Sequence, residues 1–351
     1  MKLKSTTKNN LITYAIVVVL FVVTQIASGA GMLTSHLTGL LVPISYYIIL
    51  AVSLNLTVGV LGELSLGHAG FMCVGAYFSA MFSVVFRDTI TSPLLRLCLA
   101  MVVGAVVATI FGILIGIPVL RLRGDYLAIV TLAFGEIIKN LFNAVYLGID
   151  KNGLHISMKN VMSMNMDRET GRTIINGAMG ISSVPRDTTF TVCFVMILIT
   201  LFVVMNLVDS RAGRAVMSVR DNRIAAETIG VSITKYKLMA FTVSAAFAGV
   251  AGVLYAHNIS ILNTKIFSYN TSIMILVYVV LGGLGSIRGS IIATLLLYLL
   301  PEMLRSFNDY RMLFYAIILI LAMLLNNNAG FRNLLSRITS KIFRKKEAAE
   351  N

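Results

Sequence analysis

Four ionisable residues stand in stretches that are otherwise apolar. Glu63 and His68 lie in the run Leu61-Gly-Glu-Leu-Ser-Leu-Gly-His-Ala-Gly, which follows Asn55 and is crowded with glycine: Gly59, Gly62, Gly67, Gly70 and Gly75. Glu136 and Lys139 are three residues apart inside a second apolar run. A charge in hydrocarbon is costly unless it faces a cavity or a partner. Glycines let helices approach closely or let a span break. Asn55, Gly62, Glu63, Ser65, Gly67 and His68 therefore mark a helix break lining a path, or else tight packing with Glu63 near the inner surface. Glu136 and Lys139 share one helix face and can form an ion pair. That pair is either a structural clasp or part of the same path.

A second group is basic and polar. The segment from Asp209 to Lys237 begins Asp-Ser-Arg-Ala-Gly-Arg and continues to Arg223-Ile-Ala-Ala-Glu-Thr-Ile-Gly. Asp209 or Ser210 can cap a helix start and Gly230 suits a helix end. Val216, Val219, Ile224 and Ile229 give an incomplete apolar stripe, with Arg220, Arg223 and Glu227 near one face. The spacing predicts one or two short amphipathic helices. They either lie on lipid headgroups or plug into a partner; Asp221, Glu227 and the small pair Ala225-Ala226 fit a protein surface better than lipid.

Other chemistries lack their residues. The sequence holds no Gly-x-x-x-x-Gly-Lys-Ser/Thr for phosphates, no Gly-x-Ser-x-Gly, and no Cys/His metal spacing. Cys73, Cys98 and Cys193 sit in apolar segments and read as small buried hydrophobes. Catalysis, a bound cofactor and a metal site are thus not expected.

The elements that position these groups follow from composition. Of 351 residues, 57% are hydrophobic and 13% charged, against about 25% charged in soluble domains. The mean hydropathy is +0.86. The expected fold is an all-α, multi-pass transmembrane bundle of about ten spans, near 11–29, 38–59, 66–86, 94–119, 126–147, 190–208, 238–257, 271–285, 289–304 and 312–326. The run Leu11–Ala27 is long for a signal peptide and reads as a retained first span. The net charge of +14 comes from lysines and arginines at span ends, so it sets orientation and does not point to nucleic acid. With the N-terminus inside, Lys2, Lys4, Lys8, Arg121, Arg123, the Arg211–Lys237 group and the C-terminal basic cluster face the cytoplasm, placing both termini there. An outer loop at 148–189 and an inner one at 209–237 complete a single domain. A local echo links Leu61-Gly-Glu-Leu with Leu281-Gly-Gly-Leu, read as a shared tight turn between packed spans.

The run Arg223-Ile-Ala-Ala-Glu-Thr-Ile-Gly resembles the cytoplasmic loop of ABC importer permeases, with Ile224 where the general signature has Glu. That departure, Leu54–Tyr77, Leu122-Arg-Gly-Asp-Tyr through Lys139, and Gly282-Gly-Leu-Gly-Ser resemble the LivM-type permeases of branched-chain amino acid importers. The likeness covers most of residues 40–330. It implies half of a heterodimeric pore in a bacterial cytoplasmic membrane. The partners would be a LivH-type permease, two cytoplasmic ATPases and an extracytoplasmic binding protein. It also implies that Arg220, Asp221, Arg223, Ala225, Ala226, Glu227 and Gly230 meet the ATPases. Relatives of this architecture are associated with urea and other amino acids as well. A different class remains open, an ion- or proton-coupled secondary transporter using Glu63, His68, Glu136 and Lys139 as its relay.

Overall fold

A computed structural model describes residues 5–31, 34–122, 124–150, 153–160, 162–164 and 171–304, with scattered positions from 310 to 321. It divides into two units, Met1–Thr294 and Leu295–Asn351. Five long helices open the chain: α1 (Ser5–Gly29), α2 (Ser35–Asn55), α3 (His68–Val85), α4 (Pro93–Val119) and α5 (Asp125–Ala144). After a strand-rich segment come α6 (Phe190–Asp209), α7 (Arg211–Asp221), α8 (Arg223–Thr228) and α9 (Ile233–Ala256). The last are α10 (Tyr269–Gly282) and α11 (Ile287–Met303).

Seven of these helices, α1 to α6 and α9, are long and apolar enough to cross a bilayer. The expected spans at 271–285 and 289–304 are instead helices of 14 and 17 residues, shorter than the ~20 residues a straight crossing takes. The expected tenth span at 312–326 lies largely outside the described residues.

The segment between α5 and α6, expected as an outer loop, departs from the all-α expectation. Strands β1 (Tyr146–Asp150), β2 (Gly153–Ser157), β3 (Arg172–Asn176) and β4 (Ile181–Ser182) join β5 (Ile261–Leu262) in one antiparallel sheet of order β2-β1-β3-β4-β5. β1 and β2 pair from Tyr146↔Ser157 to Asp150↔Gly153. β-Branched residues such as Thr173, Ile174 and Ile175 suit a pleated surface. Strands of two to five residues leave a faint pattern beside helical runs of twenty. The region is pinned to α4, where Arg96 donates from Nε and Nη2 to the Asp187 carboxylate, both at 2.8 Å, with the two side chains buried.

α3 and α9 are the most enclosed spans, and they pack with α4 through glycines. A Cβ on Gly75 of α3 would lie 2.4 Å from the Gly249 Cα of α9. A Cβ on Gly249 would lie 2.4 Å from the Ala108 Cβ of α4. Small residues are what let spans meet backbone to backbone, since apolar side chains gain little by leaving lipid for protein. The cysteine expectation holds for Cys73 and Cys193, which are buried, but Cys98 is exposed.

Gly249→Leu should therefore destabilise the detergent-solubilised protein by at least the ~1–3 kcal/mol typical of overpacked cores, read as a lower unfolding midpoint. Gly39→Leu, where an added Cβ meets nothing within 4 Å, should leave the midpoint unchanged.

Candidate functional site: a broken span tied to the basic loop

The glycine-rich stretch is the break in helix between α2 and α3, an irregular connection between two helices that are each long enough to span. Beyond Asn55 the helical ladder widens: Leu61 N–H donates to the Leu56 carbonyl and Glu63 N–H to the Thr57 carbonyl, both at 3.1 Å. This π turn over Leu56–Val60 extends α2. Gly62 then takes φ of +78°, which only glycine adopts freely. The chain runs without helix from Leu61 until His68 opens α3.

Neighbours satisfy the backbone that the break frees. Leu66 N–H donates to Thr131 Oγ1 of α5 at 3.0 Å, and Ala69 N–H to Ser272 Oγ of α10 at 3.0 Å. A Cβ on Gly67 would lie 2.2 Å from the Thr131 carbonyl oxygen, so α5 can press on the break only because that residue is glycine. His68 is buried and its Nε2 lies 2.9 Å from Ser53 Oγ. The Ser53 carbonyl accepts from Ser244 Oγ of α9 at 2.6 Å. Ser65 Oγ is buried and has no hydrogen-bond partner among the described residues.

The two echoing stretches meet. Buried Asn55 accepts from Gly285 N–H at 2.8 Å and donates to Ser290 Oγ at 2.9 Å. A Cβ on Gly59 would lie 2.1 Å from the Gly285 nitrogen. The break after α2 and the turn between α10 and α11 therefore pack backbone on backbone, with Asn55 bridging them. Their sequence likeness reflects two turns that share one contact.

The basic loop folds as two short helices. Ser210 caps α7 through Gly213 N–H at 3.0 Å, and Asn222 caps α8 through Ala225 N–H at 3.0 Å. Gly230, at φ +83°, ends α8. Val219, Ala226 and Ile233 form a small core within the loop. Ala226 is thus an internal packing residue, not part of the outward surface. The outward apolar residues here are Ile224 on α8 and Ile229 just past its end, 79% and 76% exposed. Both were visible in the sequence stripe, but neither stood out there as a contact. Ala225 and Glu227 lie exposed beside them, and Arg223 is half-buried.

The loop reaches the break at two points. Arg220 Nη1 donates to the Gly59 carbonyl at 3.0 Å, while its Nε and Nη2 bind Asp221 Oδ1. A Cβ on Gly62 would lie 2.5 Å from Arg220 Cγ. Lys237, at the start of α9, pairs with Glu63, and both side chains are largely buried.

Glu136 and Lys139 sit apart from this junction. Glu136 lies five residues beyond Thr131 on α5, roughly 7.5 Å along the helix. It pairs with Lys139 and accepts the Tyr269 N–H at 2.9 Å, which places a carboxylate on the positive N-terminus of α10. Each ionisable group thus has its own partner: Glu63 with Lys237, His68 with Ser53, and Glu136 with Lys139. Only the last pair joins two of the four.

Residues 36–323 match the family described as branched-chain amino acid transport system / permease component. The chain belongs to that family. This permease is 37% identical over 286 residues to the high-affinity branched-chain amino acid transport system permease protein LivM of Salmonella typhimurium, covering 79% of this chain and 66% of the relative. The match thus spans just under two thirds of that relative's length. It is 27% identical to the permease protein BraD of Pseudomonas aeruginosa, over 72% of this chain and 80% of the relative. It is 25% identical to the nucleoside ABC transporter permease protein NupC of Lactococcus lactis, over 57% and 60%. No solved structure matches the permease.

Glu63→Gln leaves Lys237 buried without a counter-charge and should cost about 3–5 kcal/mol of stability, measured by denaturation of the purified protein. Replacing both residues by Met should recover most of that loss. A double variant as unstable as Glu63→Gln would show that the pair is not the source.

Proposed function

We propose that this chain is the membrane subunit of an ATP-driven importer for branched-chain amino acids, set in a bacterial cytoplasmic membrane with both termini and the α7–α8 loop inside. The family assignment supports a permease role. The substrate class rests on the LivM and BraD relatives, which are more similar to this chain than the nucleoside permease is. A zwitterion needs a path that is only weakly polar, and the buried Ser65 hydroxyl at the break fits such a wall.

The observation that carries the reading is the two-faced loop. One face presents Ile224 and Ile229 outward, and the other holds the break through Arg220 and Lys237. An apolar knob of this kind suits a socket on a cytoplasmic ATPase. Movement of the knob then acts on the Gly59 carbonyl and on Glu63, at the point where α2 stops being a helix. A LivH-type second permease and an extracytoplasmic binding protein complete the importer. No residue of this chain performs covalent chemistry. The secondary-transport reading needs a linked relay, and each of its four groups is instead engaged with a local partner.

Two measurements test this. In liposomes holding the assembled importer, leucine uptake should require internal ATP and proceed without an ion gradient; uptake that ignores ATP and follows protons or sodium contradicts the reading. Changing both Ile224 and Ile229 to Asp should leave membrane insertion intact and cut ATPase co-purification at least tenfold, because a charge has no partner in an apolar socket. Co-purification at normal yield would refute the docking face.

A further inference from the structure

A cavity of about 260 Å³ lies between the start of α1, the end of α6 and the start of α11. It is lined by Asn10, Thr13, Asp209, Ser286 and Arg288, with Met205, Val208 and Ile287 among its apolar walls. At roughly 30 Å³ per water, it has room for eight or nine waters, or for one molecule the size of leucine. The junction described above does not use Asp209 or Arg288.

Arg288 stands against the preference of its own helix, while Asp209 lies between the negative end of α6 and the positive start of α7. Asp209 is the last residue of α6, where the helix end is already negative. Arg288 is in the first turn of α11, where the end is already positive. Helix stability favours the opposite sign at the start of α11. Neutral residues of α1 hold the two charges: Asn10 Nδ2 donates to Asp209 at 2.7 Å, and Arg288 Nε donates to Thr13 Oγ1 at 2.5 Å. Asp209 and Arg288 form no ion pair with each other, and Arg288 has no carboxylate partner among the described residues. The Asp209 carbonyl accepts from Arg214, which leaves the carboxylate itself engaged by Asn10. One cavity thus carries a carboxylate on one side, and a guanidinium plus the positive end of α11 on the other. Aliphatic wall lines the same space. A free aliphatic amino acid matches this arrangement: its ammonium faces Asp209, its carboxylate faces Arg288 and Ser286, and its side chain lies on Met205, Val208 and Ile287.

We propose that this cavity is a second amino acid site, open to the cytoplasm, through which accumulated product slows further import. The proposal rests on the importer reading and on the orientation given with it. A phosphoethanolamine headgroup carries the same two charges, so the experiment separates a lipid from a free amino acid.

Proteoliposomes containing the assembled importer are loaded with ATP and graded leucine in the lumen, and initial uptake of labelled leucine is measured. Each variant is normalised to its own rate without lumenal leucine. Lumenal leucine should inhibit the unaltered importer, and Arg288→Gln and Asp209→Asn should each raise the half-inhibiting concentration at least tenfold. Lumenal leucinol, which lacks the carboxylate, and 4-methylpentanoate, which lacks the ammonium, should not inhibit. The same curves are expected in membranes free of phosphatidylethanolamine. Equal half-inhibiting concentrations in the unaltered importer and both variants overturn the proposal. So does a rate that follows phosphatidylethanolamine content and ignores lumenal leucine, since the cavity then holds a headgroup. If ATP-driven leucine uptake is absent altogether, the importer reading falls and this proposal falls with it.

Discussion

Inside a bilayer a backbone group released from a helix must find a protein partner, because lipid offers none and each unmet group costs several kcal/mol. The partly buried connection from Leu61 to Gly67 between α2 and α3 faces the same demand wherever it is shut off from water, and neighbouring elements meet it. Thr131 of α5 and Ser272 of α10 accept the amides on one side, and Arg220 of α7 donates to the Gly59 carbonyl on the other. Asn55 links the break to the turn before α11. Four elements thus converge on this short irregular stretch. Because each supplies a hydrogen bond that the break needs, displacement of one bears on all of them.

This places the buried charges as well. Glu63 lies at the loop end of the break, and Lys237 answers it from the start of α9, where the basic loop ends. The loop is therefore fastened to the break by one charge-assisted contact and one ion pair. Its own core of Val219, Ala226 and Ile233 keeps α7 and α8 together as a unit. On the importer reading proposed above, a push on Ile224 and Ile229 would be passed on by that unit as a whole.

Much of this was legible in the sequence. Twenty-residue apolar runs marked the long spans. The glycines and polar residues from Asn55 to His68 stood out, but in the sequence they fitted either a helix break or tight packing, and the structure shows both, an irregular connection packed closely on α5 and on the turn before α11. What escaped was non-local. Arg220 reads as a surface charge in a basic amphipathic segment, and only the fold brings it to Gly59, 161 residues away. Ala226 reads as part of a docking motif because it is small, yet its size serves the loop's internal packing. The five-stranded sheet escaped because its strands are short, and β5 lies beyond α9, far from its partners in sequence. Glu136 offered a clasp or a path, and the Tyr269 amide that gives it a capping role lies 133 residues away.

On the importer reading, the Arg220–Gly59 contact carries the stroke from the loop to the break. Leucine taken up per ATP hydrolysed by the reconstituted importer tests it directly, comparing Arg220→Ala with the unaltered protein. The account predicts that the ATPases still bind and hydrolyse ATP while uptake per ATP falls at least tenfold, with Arg220→Lys intermediate. An Arg220→Ala importer that moves as much leucine per ATP as the unaltered one would contradict it.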